Sequence, residues 1–183
     1  SALMAKKPKT DQRHSTDGSF SEDYHDYVFR DGKLVGDFNN MYRYSKEVPW
    51  RQDLTCDDWT TEVGMLMLEN QAPYDSILEV GCGIRYIAAK LKKYLSRAED
   101  SVDAMDLSPE AIKQARATHP DINFFIANLA DPGWRPARQY QLVVVKELFW
   151  YVCDDMSTVV SNLNRCVASN GLLYIGQFFP ELD

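Results

Sequence analysis

The stretch Ile77-Leu78-Glu79-Val80-Gly81-Cys82-Gly83 decides the fold. A short apolar run suited to a buried strand stops on two glycines, and Ile87, Leu91, Tyr94 and Leu95 then recur at helical spacing. Working outward, the same alternation repeats. Val102 to Met105 reads as a second strand, closed by Asp106. Ser108-Pro109-Glu110 starts the next helix with a hydroxyl cap, a proline in the first turn and an acid near the positive end of the helix. Ile122 to Ile126 is a third strand and Leu142 to Val145 a fourth. Met156, Val159, Val160, Leu163 and Val167 mark a further helix, which Asn170-Gly171 is expected to end before a fifth strand from Leu172 to Ile175. Buried, β-branched strands alternating with helices predict an α/β architecture, a doubly wound and mostly parallel sheet with helices on both faces.

Upstream of Pro73, which bars a helix from continuing, Trp59, Val63, Leu66 and Met67 share one face of a helix. Thr55-Cys56-Asp57-Asp58 has capping-box spacing at its start, with Asp in place of Glu or Gln. Between Tyr24 and Trp50 aromatic residues crowd together: Tyr24, Tyr27, Phe29, Phe38, Tyr42, Tyr44 and Trp50. Asp31-Gly32 is placed to make a tight turn, and Phe38, Met41 and Tyr42 fall at helical spacing. These aromatics suit a small satellite core and a lid over a ligand pocket, two readings that are compatible. The first residues are polar and carry Lys6, Lys7 and Lys9 without a following apolar segment, so no secretory leader is read there. The expected organisation is a flexible tail over 1–21, an aromatic-rich lid and helix over 22–72, and the sheet-bearing core over 73–183.

Composition narrows the function. The 183 residues, 45% hydrophobic and 12% aromatic, suffice for one domain with a full core and exclude a largely disordered chain. No apolar run reaches the length of a membrane-spanning helix. A formal net charge of −7 argues against a nucleic-acid partner. The four cysteines (Cys56, Cys82, Cys153 and Cys166) form no Cys-x-x-Cys pair, so no metal site is expected, and a reducing, cytoplasmic setting is.

In doubly wound sheets ligands sit beyond the carboxyl ends of the strands, where the strand order reverses. Gly81 and Gly83 let the backbone approach a ligand closely. Asp106 ends the second strand, where a carboxylate can accept hydrogen bonds from both hydroxyls of a ribose. Together these point to a nucleoside. A dinucleotide fingerprint wants a third glycine where this chain has Tyr86, and a diphosphate would be repelled by Glu79. A ligand bearing an ammonium and a sulfonium suits Glu79 better.

With these residues in place, the chain resembles the class I S-adenosylmethionine-dependent methyltransferases, whose fold is Rossmann-like. Leu78 to Gly83 resembles their first motif, Asp106-Leu107-Ser108-Pro109-Glu110 their second and Ala127-Asn128-Leu129-Ala130-Asp131 their third. Tyr140 to Val152 and Asn170 to Leu173 are similar to their fourth and fifth strands. Glu147 to Tyr151 and Pro49-Trp50-Arg51 look most like the nodulation-type N-methyltransferases of chitooligosaccharides.

The resemblance implies S-adenosyl-L-methionine as cofactor. Gly81, Cys82 and Gly83 would line its methionine and ribose part, and Glu79 would hold its ammonium. Asp106 would bind the ribose hydroxyls, with Leu107 flanking the adenine. Asn128 would meet the adenine amino edge and Leu129 would pack nearby. Lys146 would contribute its backbone carbonyl, since its ammonium would repel a sulfonium. Glu147 and Tyr151, just past the fourth strand, face the acceptor in this fold and are the candidate catalytic pair, a base and an orienting hydroxyl. The chain departs from the family pattern at Arg85, where glycine is common, at Asn128 in place of a frequent aspartate, and in a sheet that ends after its fifth strand rather than the usual seventh. The implied function is O- or N-methylation of a small polar, sugar-like acceptor, without nucleic acid or membrane and with a possible homodimer across the last strand. The alternative is a non-catalytic protein of the same fold, acting as a binding or regulatory partner.

Overall fold

The structure, a computed structural model, describes residues 20–179. The lysines of the expected tail lie outside those residues, and within them Phe20 stacks on Tyr44. The chain opens with a short helix α1 (His25–Val28) and a two-stranded hairpin, β1 (Phe29–Arg30) and β2 (Lys33–Leu34). Asp31 and Gly32 make the turn with positive φ at both, the mirror-image geometry that matches strand twist. Helix α2 (Phe38–Tyr44) follows, capped by Asp37, then a 3-10 turn over Pro49–Arg51 and the short α3 (Gln52–Thr55).

Helix α4 (Trp59–Glu69) starts one turn later than the Thr55 capping pattern suggested, because the Asp58 carboxylate accepts the Thr61 N–H at 2.8 Å. Its buried residues are Thr61, Gly64, Met65 and Leu68. The stripe of Trp59, Val63, Leu66 and Met67 shares a face, but it is the outer one; Trp59 is 76% exposed. Gly64 selects the inner face, because a Cβ there would lie 2.2 Å from the Tyr174 hydroxyl. The helix can approach the sheet this closely only with glycine at the contact.

The core is β3 (Ser76–Val80), α5 (Tyr86–Leu95), β4 (Ser101–Asp106), α6 (Pro109–Thr118), β5 (Asn123–Ile126), β6 (Tyr140–Lys146), α7 (Met156–Cys166) and β7 (Val167–Gly176). All four strand pairings are parallel, in the order β5-β4-β3-β6-β7. The expected α/β fold is therefore present, with the order reversing between β3 and β6. Residues alternate between two cores. Ile77, Ala104, Leu142 and Val144 pack beneath α4, α5 and α6, while Leu78, Val80, Val143 and Val145 pack with Val159 and Leu163 of α7.

One boundary differs from expectation. Asn170-Gly171 does not end α7, which passes into β7 at Val167. The pair lies inside β7, where the register with β6 jumps from Tyr140↔Val167 to Leu142↔Leu172. Gly171 is needed there, since a Cβ would sit 2.8 Å from the Tyr140 carbonyl. The glycine stops no helix; it admits a neighbouring backbone.

Candidate active site

The carboxyl ends of β3, β4 and β6 meet at the point of reversal, and most of the sequence-predicted residues gather there. Gly81 and Gly83 both take positive φ (76° and 54°), turning the chain so that Gly81 and Cys82 donate their N–H groups to the Met105 carbonyl at 2.8 and 2.9 Å. Gly83 donates to Asp106 Oδ2 and Ser108 to Asp106 Oδ1, each at 2.9 Å. Asp106 is thus fixed by one N–H on each oxygen, with a lone pair on each still free to accept from a hydroxyl. Burial lifts its pKa, against the pull of the Ser108, Gly83 and Leu107 amides.

Glu79 is 3% exposed, and its Oε2 has no partner among the described residues. Burial, with the Asp106 charge beside it, pushes its pKa well up; the Ala88 amide and the Lys146 charge work the other way. Gln52 Oε1 and Asp53 Oδ1 are likewise buried without a hydrogen bond, although Asp53 Oδ1 lies 3.8 Å from Arg51 Nε as an ion pair. All three orphans are acceptors. Leaving such a group unmet costs about 1–3 kcal/mol, so the arrangement calls for a ligand that brings donors, such as an ammonium and hydroxyls.

The N-terminal segment closes over this turn. A Cβ at Gly83 would lie 2.7 Å from the Gln52 amide and 2.8 Å from the Tyr42 hydroxyl, and one at Gly81 would lie 3.0 Å from Leu148. Tyr42, Gln52 and Leu148 were not singled out from sequence as site residues. Tyr42 is buried near Asp106, whose charge adds to burial in raising its pKa, so its hydroxyl keeps its proton. Asn39 fastens α2 to the start of α6, its Oδ1 accepting the Glu110 N–H at 2.9 Å. The aromatics form one cluster: Trp50 lies 5.7 Å from both Tyr24 and Tyr151 and 6.3 Å from Phe38. They pack with Ile84 and Ala111, which makes them the small satellite core expected from the sequence.

The remaining expected residues divide. Leu107 is exposed beside Asp106, open to a flat ring. Asn128 is exposed at the end of β5, with its Oδ1 turned back onto the Ala130 N–H at 2.9 Å. Leu129 buries its side chain in the α7-facing core and so is not available to pack on a ligand ring. Cys82 fills space beneath the turn and burial holds its thiol well up. Lys146 is half-buried. Arg85 has φ 120°, a conformation that favours glycine, and its guanidinium lies 4.8 Å over the Tyr86 ring.

Glu147, also at positive φ (54°), has both oxygens engaged: Oε1 accepts the Phe178 N–H at 2.8 Å and Oε2 the Gln177 amide at 3.0 Å. Gln177 in turn accepts the Phe149 N–H at 3.1 Å, which clasps loop 147–151 to the end of β7. Burial raises the Tyr151 pKa to about 12. A hydroxyl so placed keeps its proton near neutrality. No group of three or more metal-ligating side chains exists among the described residues, and no helix among them is long and apolar enough to cross a membrane.

A family profile described as a methyltransferase domain matches residues 77–171, the span from β3 to the glycine inside β7. No curated protein matches the sequence. Among solved structures the chain is similar to a TehB-like SAM-dependent methyltransferase from Corynebacterium glutamicum (21% identity, 72% of this chain and 78% of that one, TM-score 0.52). It is also similar to the N-methyltransferase NodS from Bradyrhizobium japonicum in complex with S-adenosyl-L-homocysteine (23% identity, 69% of this chain, TM-score 0.56). A third likeness is to the plantazolicin methyltransferase BpumL (21% identity, 71% of this chain, TM-score 0.53). The chain spans 65% of the length of NodS and 48% of that of BpumL.

Proposed function

This chain belongs to the methyltransferase-domain family matched by residues 77–171, as an S-adenosylmethionine-dependent methyltransferase, and from that premise we propose that it methylates an O or N atom of a small polar, sugar-like acceptor. The observation that carries the cofactor assignment is the set of orphaned buried acceptors at the glycine turn, Glu79 Oε2 and Gln52 Oε1, beside the two free lone pairs of Asp106. When bound, the cofactor supplies a methyl group already activated by a sulfonium. Glu79 and Gln52 offer acceptors to its ammonium, Asp106 to its ribose, and Leu107 and the Asn128 carbonyl to its adenine. The lid excludes water, and the rest of the catalysis is alignment, where holding two reactants in place supplies about 7–11 kcal/mol.

The sugar-like preference is supported by the clustered rings Trp50, Phe38 and Tyr151, whose apolar faces suit a sugar ring. NodS is an N-methyltransferase and BpumL acts on plantazolicin, which keeps both nitrogen acceptors and larger substrates within the fold's range. Tyr151 is assigned to orient the acceptor. Glu147 we assign to holding loop 147–151 in place, because its oxygens already accept from Gln177 and Phe178. The four cysteines are free thiols, which supports a reducing, cytoplasmic setting. A homodimer would use the outer stripe of α4, where Trp59, Val63, Leu66 and Met67 are uncovered, or the edge strand β7.

Calorimetric titration with S-adenosylmethionine, S-adenosylhomocysteine and NAD tests the assignment. Micromolar binding of the two sulfur nucleosides, absent for NAD and lost in Asp106→Ala, is the expected result. No binding at millimolar ligand would overturn it and favour the non-catalytic reading.

A further inference from the structure

Asn162 is a buried polar residue that the proposed reaction leaves without a role. It sits in α7 with 0% exposure, facing the core rather than solvent. Its Nδ2 donates to the Leu129 carbonyl at 2.8 Å and to the Asp131 carbonyl at 2.9 Å, and its Oδ1 accepts from Arg165 Nη1 at 2.7 Å. Both amide hydrogens are therefore spent on a single loop. Arg165 fixes which way the amide points, so the oxygen cannot turn towards those carbonyls.

That loop is the one leaving β5 beside the ribose-binding acid, where the Ala127 N–H donates to the Asp106 carbonyl at 3.0 Å. It carries Asn128. The loop's own hydrogen bonds are short-range: Asn128 Oδ1 takes the Ala130 N–H, and Asp131 Oδ1 takes the Gly133 N–H at 2.7 Å. Such local turns shape a loop without tying it to the body of the protein. The polar ties to α7 are the two bonds from Asn162, beside the burial of Leu129 and the partial packing of Ala130 and Trp134.

We propose that Asn162 is a positioning residue for the adenine end of the cofactor site: it sets the pitch of residues 128–131 and so the direction in which Asn128 offers its side-chain carbonyl to the adenine amino group. This inference rests on the cofactor reading above. A ligand differing only at that edge isolates it. S-inosylhomocysteine carries a carbonyl where S-adenosylhomocysteine carries the amino group.

The wild-type chain is expected to bind the adenosyl compound about tenfold more tightly than the inosyl one, the size of one well-made hydrogen bond against an unpaired one. In Asn162→Asp, which keeps the shape and the Arg165 contact but loses both donors, the adenosyl Kd rises about tenfold to meet the inosyl value, which itself moves less than twofold. Amide exchange at Ala130, Asp131, Gly133 and Trp134 accelerates while that of β4 does not. In an Asn128→Ala background the Asn162 substitution no longer changes the ratio of the two Kd values. Asn162→Ser gives the same readings should the aspartate fail to fold. A ratio retained in these variants, or both Kd values rising together, would overturn the proposal while leaving the cofactor reading intact. Equal binding of both compounds by the wild type also overturns it, and binding of neither overturns the cofactor reading and this one with it.

Discussion

Arg85 offers the sharpest test of the geometry, because the backbone and the side chain pull stability in opposite directions. Its φ of 120° puts a Cβ where glycine belongs, and such strain costs about 1–3 kcal/mol. Its guanidinium over Tyr86 returns about 0.5–1 kcal/mol. Arg85→Gly relieves about 2 kcal/mol of strain, loses the ring contact and pays about 0.5–1 kcal/mol in unfolded-state entropy, for a net gain of about 0.5 kcal/mol. Arg85→Ala keeps the strain and loses only the contact, for a net loss of about 0.75 kcal/mol. The two variants should differ by about 1.3 kcal/mol, or about 4 °C in Tm for a chain of this length. Position 85 is also the N-cap of α5, where glycine is preferred over alanine, so the sign is reinforced. Denaturant midpoints at constant m-value give the same difference isothermally. If the glycine variant unfolds with or below the alanine variant, Arg85 is unstrained and the argument from φ fails.

Three further outcomes are expected. Gly83→Ala forces a Cβ into the Gln52 amide and Tyr42 hydroxyl at positive φ; it should cost about 1–2 kcal/mol by thermal unfolding and abolish S-adenosylhomocysteine binding, and unchanged affinity would remove the turn from the site. Glu79 has a folded pKa above its unfolded one, so the folded state binds the extra proton: its contribution favours the fold at acid pH and is lost as pH rises from about 4 through the folded value. Glu79→Gln should therefore flatten unfolding free energy against pH above about 4, and a superimposable pH profile would contradict the buried acid. Glu147→Gln, assayed once an acceptor is found, should lower Tm while activity per folded molecule falls less than about tenfold; a fall of about 100-fold or more at unchanged Tm would make it the general base after all.

How much of this was legible in the sequence depends on what kind of constraint each residue obeys. Gly81, Gly83, Asp106 and the Ser108 cap obey local backbone rules, so spacing along the chain was enough to place them. Tyr42, Gln52 and Leu148 matter because three distant segments converge on the glycine turn, and nothing in their own neighbourhoods announces that. The α4 stripe was correctly seen as one face, but periodicity cannot say which way a face points; the close contact between Gly64 and Tyr174 decided it. Asn170-Gly171 carried a helix-stop pattern, and tertiary pairing with β6 drew the pair into a strand instead. Glu147 turns towards Phe178 and Leu129 into the core, directions that chain position alone does not fix.

The closure of the glycine turn has a consequence for time rather than affinity. Leu148 stands on Gly81, and Gln52 and Tyr42 stand on Gly83, so an arriving cofactor meets side chains before it meets backbone. If seating a cofactor on that turn requires loop 147–151 and the start of α3 to move, the observed association rate will level off with concentration, whereas a rate that stays linear would show that no opening precedes binding. Tyr151 rides on the same loop as Leu148, so any shift of Leu148 would carry this ring with it.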